Sequence, residues 1–219
     1  DQGREEAVQA GRTMAEAGLR FDTSHTSLQT RAVVTQNLAL DAMDQAWLPV
    51  DRHWRLNERH YGALQGLDKK QTTERHGAAQ VHAWRRGYDT PPPPVELDSP
   101  EHPVNDPRYA HLPPDVLPAS ECLRDVVARV LPYWFDRIAP QLLDGLNVLV
   151  TAHGNSLRAL LKHLEGVSDE EIADVNIPTG APRRYTFDDR LQVASAEYLG
   201  DPDAVAAAAA AVAAQAGTG

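Results

Sequence analysis

The residues best equipped for chemistry fall in three clusters of this 219-residue chain. The first is Arg55-Leu-Asn-Glu58-Arg59-His60-Tyr61-Gly62-Ala-Leu-Gln-Gly66, where a carboxylate, two arginines, a histidine and a tyrosine stand among glycines with no repeating period. Surface ion pairing explains many Glu–Arg neighbours. A glutamate crowded by cations beside a phosphate would instead suit proton transfer, with the glycines letting backbone approach a ligand. The second cluster is Asn147-Val-Leu-Val-Thr-Ala-His153-Gly-Asn-Ser-Leu-Arg-Ala-Leu-Leu, a β-branched run that passes through His153 into an amphipathic helix. Ligands of open α/β sheets bind outside the carboxyl ends of strands, which is where His153 stands. The N–H groups of Gly154, Asn155 and Ser156 would open that helix, where unpaired donors and the dipole attract anions. A purely structural hydrogen bond at a helix start is the competing role for His153.

The third cluster is Arg85-Arg86, between Trp84 and Tyr88. Adjacent helical residues point apart, but at a helix end both guanidinium forks could reach a phosphate or carboxylate. Arg31 and Lys69-Lys70 read, in isolation, as exposed cations. No Walker-type loop, G-x-G-x-x-G, H-E-x-x-H or G-x-S-x-G occurs. The nine histidines do not fall at metal-ligand spacing with carboxylates, so no metal is expected.

The elements that must position these residues alternate between helix and short strand. Helices are expected over Glu5 to Leu19, after a Thr26 or Ser27 cap, over Asp68 to Tyr88, and from Ser120 to about Ile138, bent at Pro132. Strands are expected at Phe21 to His25, Trp47 to Trp54 and Val148 to Val150, with a hairpin over Arg184 to Phe187 and Leu191 to Tyr198. Ser168-Asp-Glu-Glu171 reads as a capping box opening a further helix. This alternation predicts an α/β domain with a mostly parallel central sheet flanked by helices. Residues 1–219 read as one domain, with a proline-rich lid or surface insertion over 90–118 and an alanine-rich tail over 203–219.

Composition narrows the function classes. With 42% apolar residues the chain can bury a sizeable core. A single cysteine, Cys122, excludes a disulfide framework. No apolar run reaches the length of a membrane span, and a cytoplasmic location is expected. A net charge of −10 argues against broad nucleic-acid binding. Any bound anion must therefore sit in a small cationic site set against the protein's own field.

Taken together, Asp44-Gln-Ala-Trp-Leu-Pro-Val, Leu56-Asn-Glu-Arg-His-Tyr-Gly-Ala-Leu-Gln-Gly66, Trp84-Arg-Arg-Gly, Asp106-Pro-Arg-Tyr, Leu131-Pro-Tyr-Trp, Ala152-His-Gly-Asn-Ser-Leu-Arg-Ala-Leu and Asn176-Ile-Pro-Thr-Gly resemble cofactor-dependent phosphoglycerate mutases of the histidine phosphatase superfamily. The resemblance runs in order from Gly3 to about Asp203. It implies interconversion of 3-phosphoglycerate and 2-phosphoglycerate through a phosphohistidine primed by 2,3-bisphosphoglycerate, without a metal. It implies Glu58 as general acid/base and His153 as the second active-site histidine, stabilising charge on the transferring phosphoryl group. Arg31, Arg59, His60, Tyr61, Lys69, Arg85, Arg86, Gly154 and Asn155 match positions that hold phosphates and carboxylate. A homodimer or homotetramer is common in the family, and the expected partner is a small phosphoglycerate. No Arg-His-Gly stands at the end of a first strand in these residues; the tripeptide Arg75-His76-Gly77 falls within the stretch read as helix, the wrong context for the family's motif. The resemblance therefore implies about 30 further residues, the size of one βα segment. Without them two internal sheet edges would be unpaired, turnover by these 219 residues would fail, and self-association would be favoured. A phosphomonoesterase of the same superfamily, or a non-catalytic anion-binding protein, are the alternative readings.

Overall fold

The computed structural model describes residues 2–217, with backbone alone for residues 69, 70 and 215–217. Three strands, β1 (Thr23–Thr26), β2 (Val50–Arg52) and β3 (Val148–Thr151), form a parallel sheet in the order β2–β1–β3. In the central strand, Ser24 lies opposite Val50 and Leu149, and Thr26 opposite Arg52 and Thr151. Parallel neighbours require crossover connections. The crossover from β1 to β2 is α2 (Thr30–Ala42); the route from β2 to β3 is a long excursion that carries most of the site.

A Thr-Ser-His-Thr central strand is polar yet wholly buried. It is tolerated because its side chains find partners. The Thr26 hydroxyl donates to the Thr151 carbonyl (2.7 Å), and the His25 ring is bonded to the Tyr133 hydroxyl (2.8 Å) and Gln141 Oε1 (2.7 Å). The main apolar core lies where α5 (Leu123–Tyr133) meets α7 (Gly154–Glu165), around Leu123, Val126, Val130, Ala159, Leu160, Leu161 and Ile172. A smaller cluster of Met14, Ala39 and Met43 joins α1 (Gln2–Glu16) to α2.

Several sequence expectations shift in detail. The polar helix expected from Asp68 to Tyr88 is two helices, α3 (Lys69–His76) and α4 (Ala78–Arg86), because Gly77 at φ +80° breaks the ladder between them. The start of α2 is Gln29 with no side-chain cap, and the Ser27 hydroxyl is engaged by His153 instead. The Ser168–Glu171 capping box forms through reciprocal 3.1 Å bonds, yet it opens only a single turn, Glu171–Ala173. Pro132 lies inside α5, which passes into a π-helical turn at Trp134–Ile138 and then α6 (Ala139–Leu143). Residues 90–118 carry only 3₁₀ turns, at Pro103–Asn105, Pro107–Tyr109 and Pro114–Val116, each opening on a proline.

Strands β4 (Arg183–Phe187) and β5 (Val193–Tyr198) form the expected antiparallel hairpin as a sheet of their own, and the alanine-rich tail is helix α8 (Pro202–Gly217). Among the described residues β1 is hydrogen-bonded to β2 on one side and β3 on the other, while β3 pairs with β1 alone and β4 with β5 alone. No helix among them is long and apolar enough to cross a membrane.

The approach of α1 to α2 depends on Gly11. A Cβ there would lie 2.4 Å from the Ala39 carbonyl oxygen and 2.9 Å from the Ala42 methyl, whereas one at Gly3 in the same helix meets open space. Gly11→Ala should therefore cost about 1–3 kcal/mol in urea unfolding. Gly3→Ala should be neutral or gain about 0.5 kcal/mol. Equal stability of the two variants would contradict this packing.

Candidate active site

The loop after β2 is shaped by bonds to distant chain. Its first turn, Trp54–Leu56, is capped by His53, whose Nδ1 accepts the Arg55 N–H (3.2 Å), and Leu56 is buried beneath it. Asn57 ties the loop on two sides. Its side-chain Oδ1 accepts the Leu28 N–H (3.0 Å), and its Nδ2 donates to the Tyr109 hydroxyl (2.9 Å). Glu58 follows with its N–H on Gln29 Oε1 (3.2 Å). Its carboxylate Oε1 accepts the Arg59 N–H (2.8 Å) and the Asn155 N–H (3.1 Å). Glu58 thus occupies the first turn of α7, where free N–H groups and the helix dipole favour an anion.

Around that carboxylate the cations converge. Arg59 is buried and donates to the Trp84 carbonyl (3.0 Å) and the Arg85 carbonyl (2.7 Å) at the end of α4. Its guanidinium lies 4.5 Å from the centre of the Tyr61 ring. The Tyr61 hydroxyl accepts from the Asn155 amide (3.0 Å). Arg86 donates to the Ala173 carbonyl (2.5 Å) and to Asn176 Oδ1 (3.0 Å). Arg158 donates to Asn155 Oδ1 (3.1 Å) and to the Ile172 carbonyl. Burial, reinforced by Arg86 and Arg59, pushes the Arg158 guanidinium down to about 10. Burial likewise lowers Arg86. The buried Nε atoms of Arg59, Arg85 and Arg158 have no hydrogen-bond partner.

Glu58, Tyr61, Arg85, Arg86, Gly154, Asn155 and Arg158 line one cavity of about 260 Å³, walled on its apolar side by Val175, Ile177 and, from α8, Val212. His153 and Arg31 are not part of that lining; they form a cluster of their own at the start of α7. The Arg31 Nε–H donates to His153 Nδ1 (3.0 Å), so Nε2 carries the ring proton and donates to the Ser27 hydroxyl (2.8 Å). Burial first, then the Arg31 and Arg129 charges, pushes the His153 imidazole down to about 3. His60 faces the proline-rich segment: Nδ1 accepts the Gly62 N–H (3.1 Å), leaving Nε2–H for the Glu101 carbonyl (3.0 Å). It lines a second cavity of about 210 Å³ that shares Glu58 with the first. The Lys69 side chain lies outside the described residues. No three His, Cys, Asp or Glu side chains among those described gather as metal ligands.

The sequence reading missed Arg158, although it stands three residues beyond Asn155 and so on the same face of α7. It also missed Ser27 as a histidine partner, and the buried pair of Glu121 and Arg129 beneath the Glu58 loop. The Ser27–His153 bond spans 126 positions, and the buried pair meets residues 55, 58 and 60 across 61 to 74 positions, so neither left a local signal.

The state of His153 is open to test. Its imidazole should remain neutral well below the ordinary value of 6.5, as read from its NMR titration. The unfolded chain takes up that proton more readily than the folded one. This contribution to stability is therefore complete above pH 6.5 and is lost as the pH falls toward about 3. His153→Gln should flatten that part of the stability profile, and an imidazole titrating near 6.5 would refute the burial argument.

Comparison with known proteins bears on these residues. The family model for the histidine phosphatase superfamily (branch 1) matches residues 1–103 and 98–196. A 2,3-bisphosphoglycerate-dependent phosphoglycerate mutase of Nitratidesulfovibrio vulgaris (strain Hildenborough) is 56% identical over 213 residues, covering 97% of this chain and 85% of that protein. One of the same name from Xylella fastidiosa (strain 9a5c) is 59% identical over 204 residues, covering 93% and 82%. Among solved structures, the phosphoglycerate mutase of Bacillus anthracis superposes with a TM-score of 0.62 at 20% identity, covering 95% of this chain and 84% of that one. A mycobacterial glucosyl-3-phosphoglycerate phosphatase gives 0.62 at 21%, covering 90% and 84%. At such identities the structural likeness concerns the fold. The sequence relatives decide the narrower question: the chain belongs to the 2,3-bisphosphoglycerate-dependent phosphoglycerate mutases of the histidine phosphatase superfamily.

Proposed function

We propose that the 260 Å³ cavity is a phosphoglycerate site and that the protein serves the interconversion of 3-phosphoglycerate and 2-phosphoglycerate. One observation carries the reading: a carboxylate seated on a helix N-terminus faces the same small cavity as three arginines. Arg85, Arg86 and Arg158 would hold phosphate and carboxylate oxygens through guanidinium forks. The Asn155 and Tyr61 pair would orient the three-carbon chain. Glu58 would take the proton from the substrate hydroxyl as it accepts a phosphoryl group, and return it in the reverse direction. His153, with Ser27 and Arg31, would set the electrostatics behind that exchange. Val175, Ile177 and Val212 would restrict water, favouring phosphoryl transfer over hydrolysis.

The cavity also fits 2,3-bisphosphoglycerate, since unpartnered buried Nε donors on Arg85 and Arg158 leave capacity for a second phosphate. When bound, that molecule supplies the priming phosphoryl group. In the family the group is carried by the histidine of an Arg-His-Gly at the end of a first strand; the Arg75-His76-Gly77 of these residues instead ends α3, so the residues described would serve binding and proton transfer.

Calorimetric titration of the chain with 3-phosphoglycerate tests the reading. Arg85→Ala should weaken binding roughly ten- to a hundredfold, the loss of charged hydrogen bonds. Glu58→Gln should bind as well or better, because a proton-transfer group that faces an anionic ligand contributes repulsion, not affinity. Loss of binding in Glu58→Gln, or no effect of Arg85→Ala, would overturn these assignments.

A further inference from the structure

The loop that presents Glu58 has almost no regular structure of its own, only the turns Trp54–Leu56 and Gly62–Leu64. Its shape must therefore be imposed from outside. Beneath it lies a buried ion pair at the front of α5. Arg129 Nε donates to Glu121 Oε1 (2.6 Å), and Nη2 to Glu121 Oε2 (3.0 Å). The two side chains are 8% and 4% exposed. The rest of the fork does not serve the pair. Nη1 donates to the Arg55 carbonyl (2.6 Å), and Nη2 also reaches the Glu58 carbonyl (3.2 Å). Glu121 completes the clamp from its own side. Its carboxylate accepts the His60 N–H (2.9 Å), while its N–H donates to the His60 carbonyl (2.9 Å).

We propose that Glu121 and Arg129 are positioning residues, which fix the backbone of residues 55, 58 and 60 and so set the Glu58 carboxylate on the first turn of α7. The proposal rests on the reading of Glu58 given above and adds what places it. A merely cohesive contact between α5 and the loop would be served by apolar packing, often at least as well as by a buried charge pair. Only a planar fork with several fixed N–H directions can hold two carbonyls and a carboxylate at once. The charge of this arginine, unlike those of the cavity, is matched by a carboxylate, so it is not held in reserve for a ligand. A lysine would keep the charge and lose those directions.

Arg129→Lys and Glu121→Gln test this by two readouts on the same chain. The amide protons of Arg59 and Asn155, which the Glu58 carboxylate accepts, report its placement through hydrogen exchange. Calorimetric affinity for 3-phosphoglycerate reports whether the cavity arginines stay in place. In Arg129→Lys these two amides should exchange at least about tenfold faster while those of α2 keep their protection, and affinity should stay within about threefold, because Glu58 opposes the anion and does not hold it. Should Arg129→Lys fail to fold, Glu121→Gln keeps the shape and the acceptor for His60 and should show the same local pattern. Unchanged exchange at Arg59 and Asn155, or acceleration spread evenly through α5 and α2, would overturn the proposal. Failure of the wild-type chain to bind 3-phosphoglycerate would count against the mutase reading alone, since the exchange pattern still decides what positions Glu58.

Discussion

The Glu58 carboxylate accepts the Asn155 N–H at the first turn of α7, joining positions 97 apart in the chain. That bond brings the loop after β2 onto the carboxyl end of the sheet, where β3 runs into α7. A helix N-terminus is one of few places that hold a partly buried carboxylate without a cationic partner, because free N–H groups and the dipole supply the compensation. Glu58 is consequently kept near cations without being spent in a salt bridge to any cation among the described residues. A carboxylate locked in an ion pair would serve poorly as a proton carrier.

The same economy governs the arginines. Arg59, Arg86 and Arg158 are all fixed through neutral acceptors: the carbonyls of Trp84, Arg85, Ala173 and Ile172, and the side chains of Asn155 and Asn176. Carbonyls orient a guanidinium but leave its charge in place. Grouping such charges in a half-buried cavity is costly for the empty protein, as the lowered values of Arg86 and Arg158 register, and an anionic ligand relieves it. Arg129, by contrast, is neutralised by Glu121 and turns the rest of its donors on the backbone. Two arginine environments would thus separate the two proposed tasks, attracting an anion and holding a loop. They also explain how a chain of net charge −10 can maintain a cationic site.

His153 shows why sequence position and chemical state must be distinguished. Its place at the end of β3 was legible from the β-branched run that precedes it. Its state was not: Ser27 and Arg31, some 120 residues earlier, fix the tautomer, and burial keeps the ring neutral. The proline-rich stretch is a similar case. Its lack of helix and strand follows from its prolines, but its contact with the site, through Tyr109 on Asn57 and Glu101 on His60, follows from the fold.

By itself the sequence determined what short-range sterics and periodicity can specify. That includes the α/β alternation, the hairpin, the strand–loop–helix unit at His153 and the clustering of Glu58 with its arginines. Its local motifs were also dense enough to reveal the family. Only the tertiary structure decided the direct pairing of β1 with β3, the shortness of the strands, and which cations face one cavity. Those features depend on contacts between residues tens to a hundred positions apart. Such contacts leave no trace in any window of neighbouring residues, because the energy that selects them appears only once the distant partner is in place.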